Sequence, residues 1–168
     1  MDSTLTELFK HNLWANLRLL DVCAGLNDEQ LDTSAPGTYG RVRDTLVHIV
    51  GAEERYTSTL AGRVAEQPLG SSSDFPGFDE LRQRAHRSGE ELIKLADKIQ
   101  PSQVLQGTRR GTPYTIRAAI FVIQAINHAT EHRAHVASIL SQLGIAPPIL
   151  DAWTYGQERG AVDLGSSR

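Results

Sequence analysis

Six histidines stand among 168 residues, and three fall in one short run, Asn127-His128-Ala129-Thr130-Glu131-His132-Arg133-Ala134-His135. His128 and His132 are four apart, so on a helix they share a face and can grip one ion together. His135 follows His128 by seven and falls near the same face. Neutral imidazole suits Zn, Ni, Cu or Fe. The i,i+4 pair alone is common by chance; its weight here comes from phase. Phe121, Ala125, His128, His132, Ile139 and Leu143 step along one face, apolar on both sides of the histidines. The rings are therefore expected to face a helical interior, where a polar ring needs a partner. A metal site meets that need, and so does a buried polar network. A metal wants more than two protein ligands, and two further histidines are candidates. His135 follows on the same helix. His48 lies on another, roughly 120° from the centre of the Val42–Leu46–Ile49 stripe at 100° per residue. Periodicity leaves that choice open.

Other polar residues sit in phase with apolar ones. Glu53 falls beside the apolar stripe of its helix, between Ile49 and Tyr56. A carboxylate there would orient an imidazole or act as a base, or else pair with an arginine. Asn12 and Asn16 share a phase with Leu5, Phe9 and Leu20, so they either line a pocket above the metal or bond helix to helix. Arg133 is expected in a surface pair ahead of a pairing with a carboxylate of substrate or protein, Glu131 as a solvated neighbour, and His11 and His86 as exposed helix residues. Cys23 lies in an apolar stripe and reads as a core thiol. Trp153 and Tyr155 read as apolar cover for the end of the protein. The sequence has neither a Gly-x-Ser-x-Gly elbow nor a Gly-rich phosphate loop.

These residues need long helices to position them. Apolar periodicity predicts helices over about Thr4–Ala24, Arg41–Leu60, Asp79–Ile99 and Thr115–Leu143. Thr4-Leu5-Thr6-Glu7 has capping-box spacing. A short capped turn is expected over Asn27–Leu31, and Gly144 is placed to end the longest helix. Loops are expected at Ser34–Gly40 and Pro68–Gly77, and a turn-rich connection at Gln106–Pro113, with a small hairpin there as the less favoured alternative. Asp151 caps a short C-terminal segment, and Gly165-Ser166-Ser167-Arg168 reads as a frayed tail. The expected fold is all-α: one domain over 1–168, an up-down four-helix bundle with a short C-terminal segment.

Composition narrows the function. The net charge of −3, from 17 basic and 20 acidic residues, argues against a nucleic-acid binder or a polybasic membrane-surface protein. The longest apolar run, Ala118–Ile126, is too short to span a membrane and contains Gln124. The first residues, Met1-Asp2-Ser3, lack the basic region of a signal peptide. A single cysteine excludes an internal disulfide framework and a multi-Cys zinc ribbon, and fits a reducing compartment. A cytoplasmic protein is expected.

Several segments together resemble one family. The run Asn127 to Val136, continuing to Leu143-Gly144, resembles the signature helix of the DinB/YfiT-like superfamily of metal-dependent enzymes. Leu46-Val47-His48-Ile49-Val50-Gly51-Ala52-Glu53 is similar to its second helix. Asn12-Leu13-Trp14-Ala15-Asn16 and Asp151-Ala152-Trp153-Thr154-Tyr155 resemble its opening and closing segments, and the order matches over nearly the whole chain. The resemblance implies a four-helix bundle that dimerises through its helices. It also implies a divalent metal, Zn or Ni, on His48, His128 and His132. Members often carry Gln where this chain has His135, so His135 is an extra ligand, a proton carrier or a neighbour of the ligand set. Three protein ligands leave positions open for a small-molecule substrate or water. Such a metal can hold a low-molecular-weight thiol as thiolate or turn bound water into hydroxide. Relatives with assigned roles include thiol-dependent S-transferases and a thiol-dependent isomerase. A thiol-dependent S-transferase is therefore the expected activity, ahead of a metal-dependent hydrolase. The third alternative is a non-catalytic metal-binding or stress-related protein.

Overall fold

A computed structural model describes residues 2–70, 74–109 and 111–163. Six helices form: α1 (Thr4–Cys23), α2 (Asp28–Leu31), α3 (Val42–Leu60), α4 (Phe78–Leu95), α5 (Ala118–Gln142) and α6 (Ala152–Glu158). Their ends follow local chemistry. Ser3, one residue before the expected box, caps α1 by accepting the Thr6 backbone N–H at 3.1 Å. Asn27 and Gln30 form a reciprocal capping box on α2. Gly144, at φ +72°, takes the left-handed position that closes α5. A 3₁₀ turn at Ala96–Lys98 replaces the expected last turn of α4. Ser71-Ser72-Ser73 and the tail at Gly165–Arg168 lie outside the described residues.

The all-α expectation needs correction between α4 and α5. Strands β1 (Val104–Arg109) and β2 (Thr112–Arg117) form an antiparallel hairpin in which Leu105 pairs with Ile116 and Gly107 with Tyr114. Gly111, at φ +80°, accepts the left-handed backbone that a tight hairpin turn requires. Leu105 is buried in an apolar cluster with the start of α5, and Tyr114 and Ile116 pack against it. Because Thr115–Arg117 are held in β2, α5 starts at Ala118 rather than Thr115.

The four long helices enclose two apolar clusters. One holds Leu19, Cys23, Leu46, Val50, Leu81, Ala85, Val136 and Leu140; the other holds Phe9, Leu60, Leu92, Ala118 and Phe121. α1 packs on α4, α4 on α3, α3 on α5, and α5 closes on α1. The order in which each helix visits the clusters fixes its direction. α1 and α5 run from the second cluster to the first; α3 and α4 run the other way. The order is therefore up-down-down-up, which corrects the simple up-down expectation. The physical reason is the connection of residues 61–77, which is long enough to carry the chain back along α3; extended chain covers at most about 3.3–3.6 Å per residue, against about 1.5 Å in a helix. Leu69, within that connection, lies tight on α3. A Cβ at Gly51 would come within 1.9 Å of the Leu69 carbonyl oxygen. The same oxygen accepts Arg55 Nη1 at 2.7 Å, and the Leu69 N–H donates to Glu54 at 3.0 Å. Among the described residues, no helix is long and apolar enough to cross a membrane.

Candidate metal centre

α3 and α5 pack side by side, and three imidazoles meet between them. One ligand nitrogen each from His48, His128 and His132 lies within 4.8 Å of the others. Ring centroids are 4.8 Å apart for His48–His128, 4.7 Å for His48–His132 and 4.4 Å for His128–His132. His48 reaches the site because α3 is buried on several sides, against α4, α5 and the 61–77 connection. A flank position on such a helix faces inward. His135 stands beside the trio, its centroid 5.2 Å from His132.

The donor set suits a divalent cation. Burial lowers His48 to a pKa of about 4, with smaller effects from His132 and the Arg55 cation. Burial also lowers His128 to about 3, helped by His132, His48 and Arg55, and it lowers His132. All three rings are thus neutral at pH 7, the state that binds metal. The Nε2 atoms of His48 and His128 lie 2.9 Å apart. Two facing lone pairs at that distance need a proton or a cation between them. A shared proton leaves His48 underserved, since its buried Nδ1 has no partner whichever ring donates. The buried Nδ1 atoms of His132 and His135 are likewise without partners among the described residues.

Aromatic rings wall the site. Tyr39, from the loop before α3, stacks on His48 at 4.1 Å and 15° and meets His132 edge-on at 4.9 Å. Tyr56 meets His128 edge-on at 5.6 Å. Sequence reasoning missed Tyr39 because no periodicity reaches into a loop. Its only signal is an aromatic residue among turn formers just before a histidine-bearing helix.

A second polar cluster fills the core beside the first. Glu53 is 5% exposed, and its Oε2 accepts Asn12 Nδ2 at 2.7 Å and Asn16 Nδ2 at 2.9 Å. Its Oε1 accepts the Ser88 hydroxyl at 2.6 Å. Arg133, also 5% exposed, donates Nη1 to Asn12 Oδ1 at 2.8 Å and Asn16 Oδ1 at 2.7 Å, and Nη2 to Thr130 at 3.1 Å. Burial raises the Glu53 pKa against the pull of Ser88, the asparagines and Arg133. Burial also brings Arg133 down to about 10. No hydrogen bond joins Glu53 to an imidazole among the described residues. Asn12 and Asn16 bond helix to helix. Arg133 is no surface residue: it shares the phase of Ala129, Val136 and Leu140, an apolar series that marked it as inward-facing.

The remaining expectations divide. Cys23 is fully buried, and burial pushes its thiol up to about 12. Glu131 and His86 are exposed. His11 is not: its Nε2 lies 2.9 Å from the Leu150 carbonyl oxygen, and its ring packs against Trp14 and Tyr155. Of the C-terminal aromatics, Tyr155 is buried against α1, whereas Trp153 is 65% exposed.

With this geometry in hand, the comparison with known proteins is direct. The DinB family model matches residues 1–160, which include all three clustered histidines. The chain belongs to the DinB family. A DinB-like protein from Bacillus cereus ATCC 10987 has a similar crystal structure, with a TM-score of 0.64 at 19% sequence identity, covering 85% of this chain and 93% of that one. At that identity the likeness shows a DinB-like fold. No curated protein matches the chain.

Proposed function

We propose that this DinB-family protein is a metal-dependent enzyme, with Zn or Ni held by His48, His128 and His132 in a four-helix bundle. The observation that carries the reading is the convergence from two helices of three neutral imidazoles, His132 buried and His48 and His128 half-buried. A bound divalent cation would hold a small thiol as its thiolate at neutral pH. The chain's own residues supply the rest. Three imidazole ligands would leave coordination positions for substrate. Tyr39 and Tyr56 pack their rings against His48 and His128. His135, beside His132, is placed to carry a proton. Thiol-dependent S-transfer to a small electrophile is the activity that fits best, in a cytoplasmic homodimer.

Elemental analysis of untagged protein tests the site, with His48→Ala and His128→Ala beside it. About one equivalent of Zn or Ni in wild type, lost in both variants, is expected. Wild type that is metal-free and takes up neither ion overturns the reading. Loaded protein is then assayed for loss of an electrophile with and without a thiol. Turnover of an ester or amide without thiol makes it a hydrolase instead. Loaded protein without any turnover is a metal-binding protein only. Sedimentation at micromolar concentration tests the dimer.

A further inference from the structure

The Asn12–Asn16–Glu53–Ser88–Arg133 cluster crosses all four long helices at one level. Along α1 it lies between Phe9 and Leu19, along α3 between Val50 and Leu60, along α4 between Ala85 and Leu92, and along α5 between Phe121 and Val136. It is thus a polar layer between the two apolar clusters. Apolar contacts tolerate sliding; this layer does not. Arg133 only donates, so each asparagine must turn its oxygen to Arg133 and its amide nitrogen to Glu53. A shift of α5 by one residue moves Arg133 by about 1.5 Å and breaks both bonds. The layer also sits next to the ligands in sequence: Glu53 follows His48 on α3, and Arg133 adjoins His132 on α5.

We infer that Glu53 and Arg133 are positioning residues, joined through Asn12 and Asn16, that lock α3 and α5 in the one register where His48 meets His128 and His132. The inference rests on the metal reading above. Buried polar groups are best attested as setters of register, and a site loosened by about 1 Å loses function. Ser88 belongs to the same layer but sits on α4, which carries no ligand. Ser88→Ala therefore cuts the layer without freeing the α3–α5 register.

The test is Co(II) titration of untagged, metal-free protein, read by visible absorption and chelator competition, with helicity followed by circular dichroism. Wild type should bind one equivalent. Glu53→Gln, nearly isosteric, should stay helical at 25 °C, bind Co(II) at least about tenfold more weakly and show altered absorption bands. Ser88→Ala should melt earlier yet keep the wild-type affinity and bands. If Glu53→Gln does not fold, Arg133→Lys replaces it, since an ammonium lacks the planar fork that spans both asparagines. Equal loss of affinity in Glu53→Gln and Ser88→Ala overturns the inference, because the layer would then act only through stability. Unchanged binding in Glu53→Gln overturns it too. Wild type that takes up no Co(II) fails at the earlier step and overturns the metal reading itself.

Discussion

Two polar clusters lie within the same helical core, and they are finished differently. In the layer built on Glu53 and Arg133, no buried side-chain atom is left without a partner among the described residues. In the imidazole cluster, buried Nδ1 atoms on His48, His132 and His135 have none. Both clusters draw on α3 and α5, so the same packing could have satisfied both. A satisfied network holds a structure together; an unsatisfied one costs stability and persists where something else is meant to bind. The contrast supports reading the layer as architecture and the imidazoles as the proposed metal site.

The strongest way to break that contrast is to remove a ligand. His48→Ala or His128→Ala should weaken Zn binding by more than the roughly hundredfold that losing an outer partner costs. Competition with a chelator measures this. A variant that keeps wild-type affinity would mean that the three rings do not act as one site. In the layer, the comparable cut is Arg133→Met. It leaves Glu53 buried without its cation and should cost about 3–5 kcal/mol. At this chain length that lowers the melting temperature by roughly 10 °C. A smaller loss would show the layer to be less tightly coupled than its hydrogen bonds imply.

The sequence carried the first cluster further than the second. His128 and His132 were legible from phase alone, because apolar residues continue their face in both directions. His48 was not, because periodicity measures distance from one stripe, whereas α3 is buried on several sides. Resemblance to the family supplied it. Arg133 was misread for a different reason. A charged residue is expected in water, although its in-phase neighbours Ala129, Val136 and Leu140 are apolar. The up-down-down-up order and the hairpin depend on contacts distant in sequence. Loop length at 61–77 permits a crossover without requiring one, and Leu105, Tyr114 and Ile116 earn their strand only by packing on α5.

Acid sharpens the comparison without any substitution. In unfolded chain His48 and His128 titrate near 6.5; in the folded protein burial holds them at about 4 and about 3. Below pH 6.5 the unfolded state therefore binds protons that the folded state does not. Stability of the metal-free protein should fall as pH drops from 6.5 toward 3. Denaturant midpoints across that range check it, and His128→Ala should flatten the slope. An equally steep slope in His128→Ala would move the acid sensitivity elsewhere, with His48 as the next group to test.

The smallest expected effect is the most telling, because its sign differs between the clusters. His132 is 7% exposed, and its buried Nδ1 has no partner among the described residues. An unsatisfied buried group costs about 1–3 kcal/mol. His132→Leu removes that cost and fills similar space, so metal-free protein should gain about 1 kcal/mol and melt roughly 2–4 °C higher while losing the metal. Asn16→Leu is the same kind of exchange in the layer. It deprives Glu53 of a donor and Arg133 of an acceptor, so stability should fall by about 3 kcal/mol. Thermal melts of both variants in the presence of a chelator decide the matter. If His132→Leu destabilises as Asn16→Leu does, the imidazoles are a structural network like their neighbour. If it stabilises, the histidines are kept against the interest of the fold, and binding is the reason to keep them.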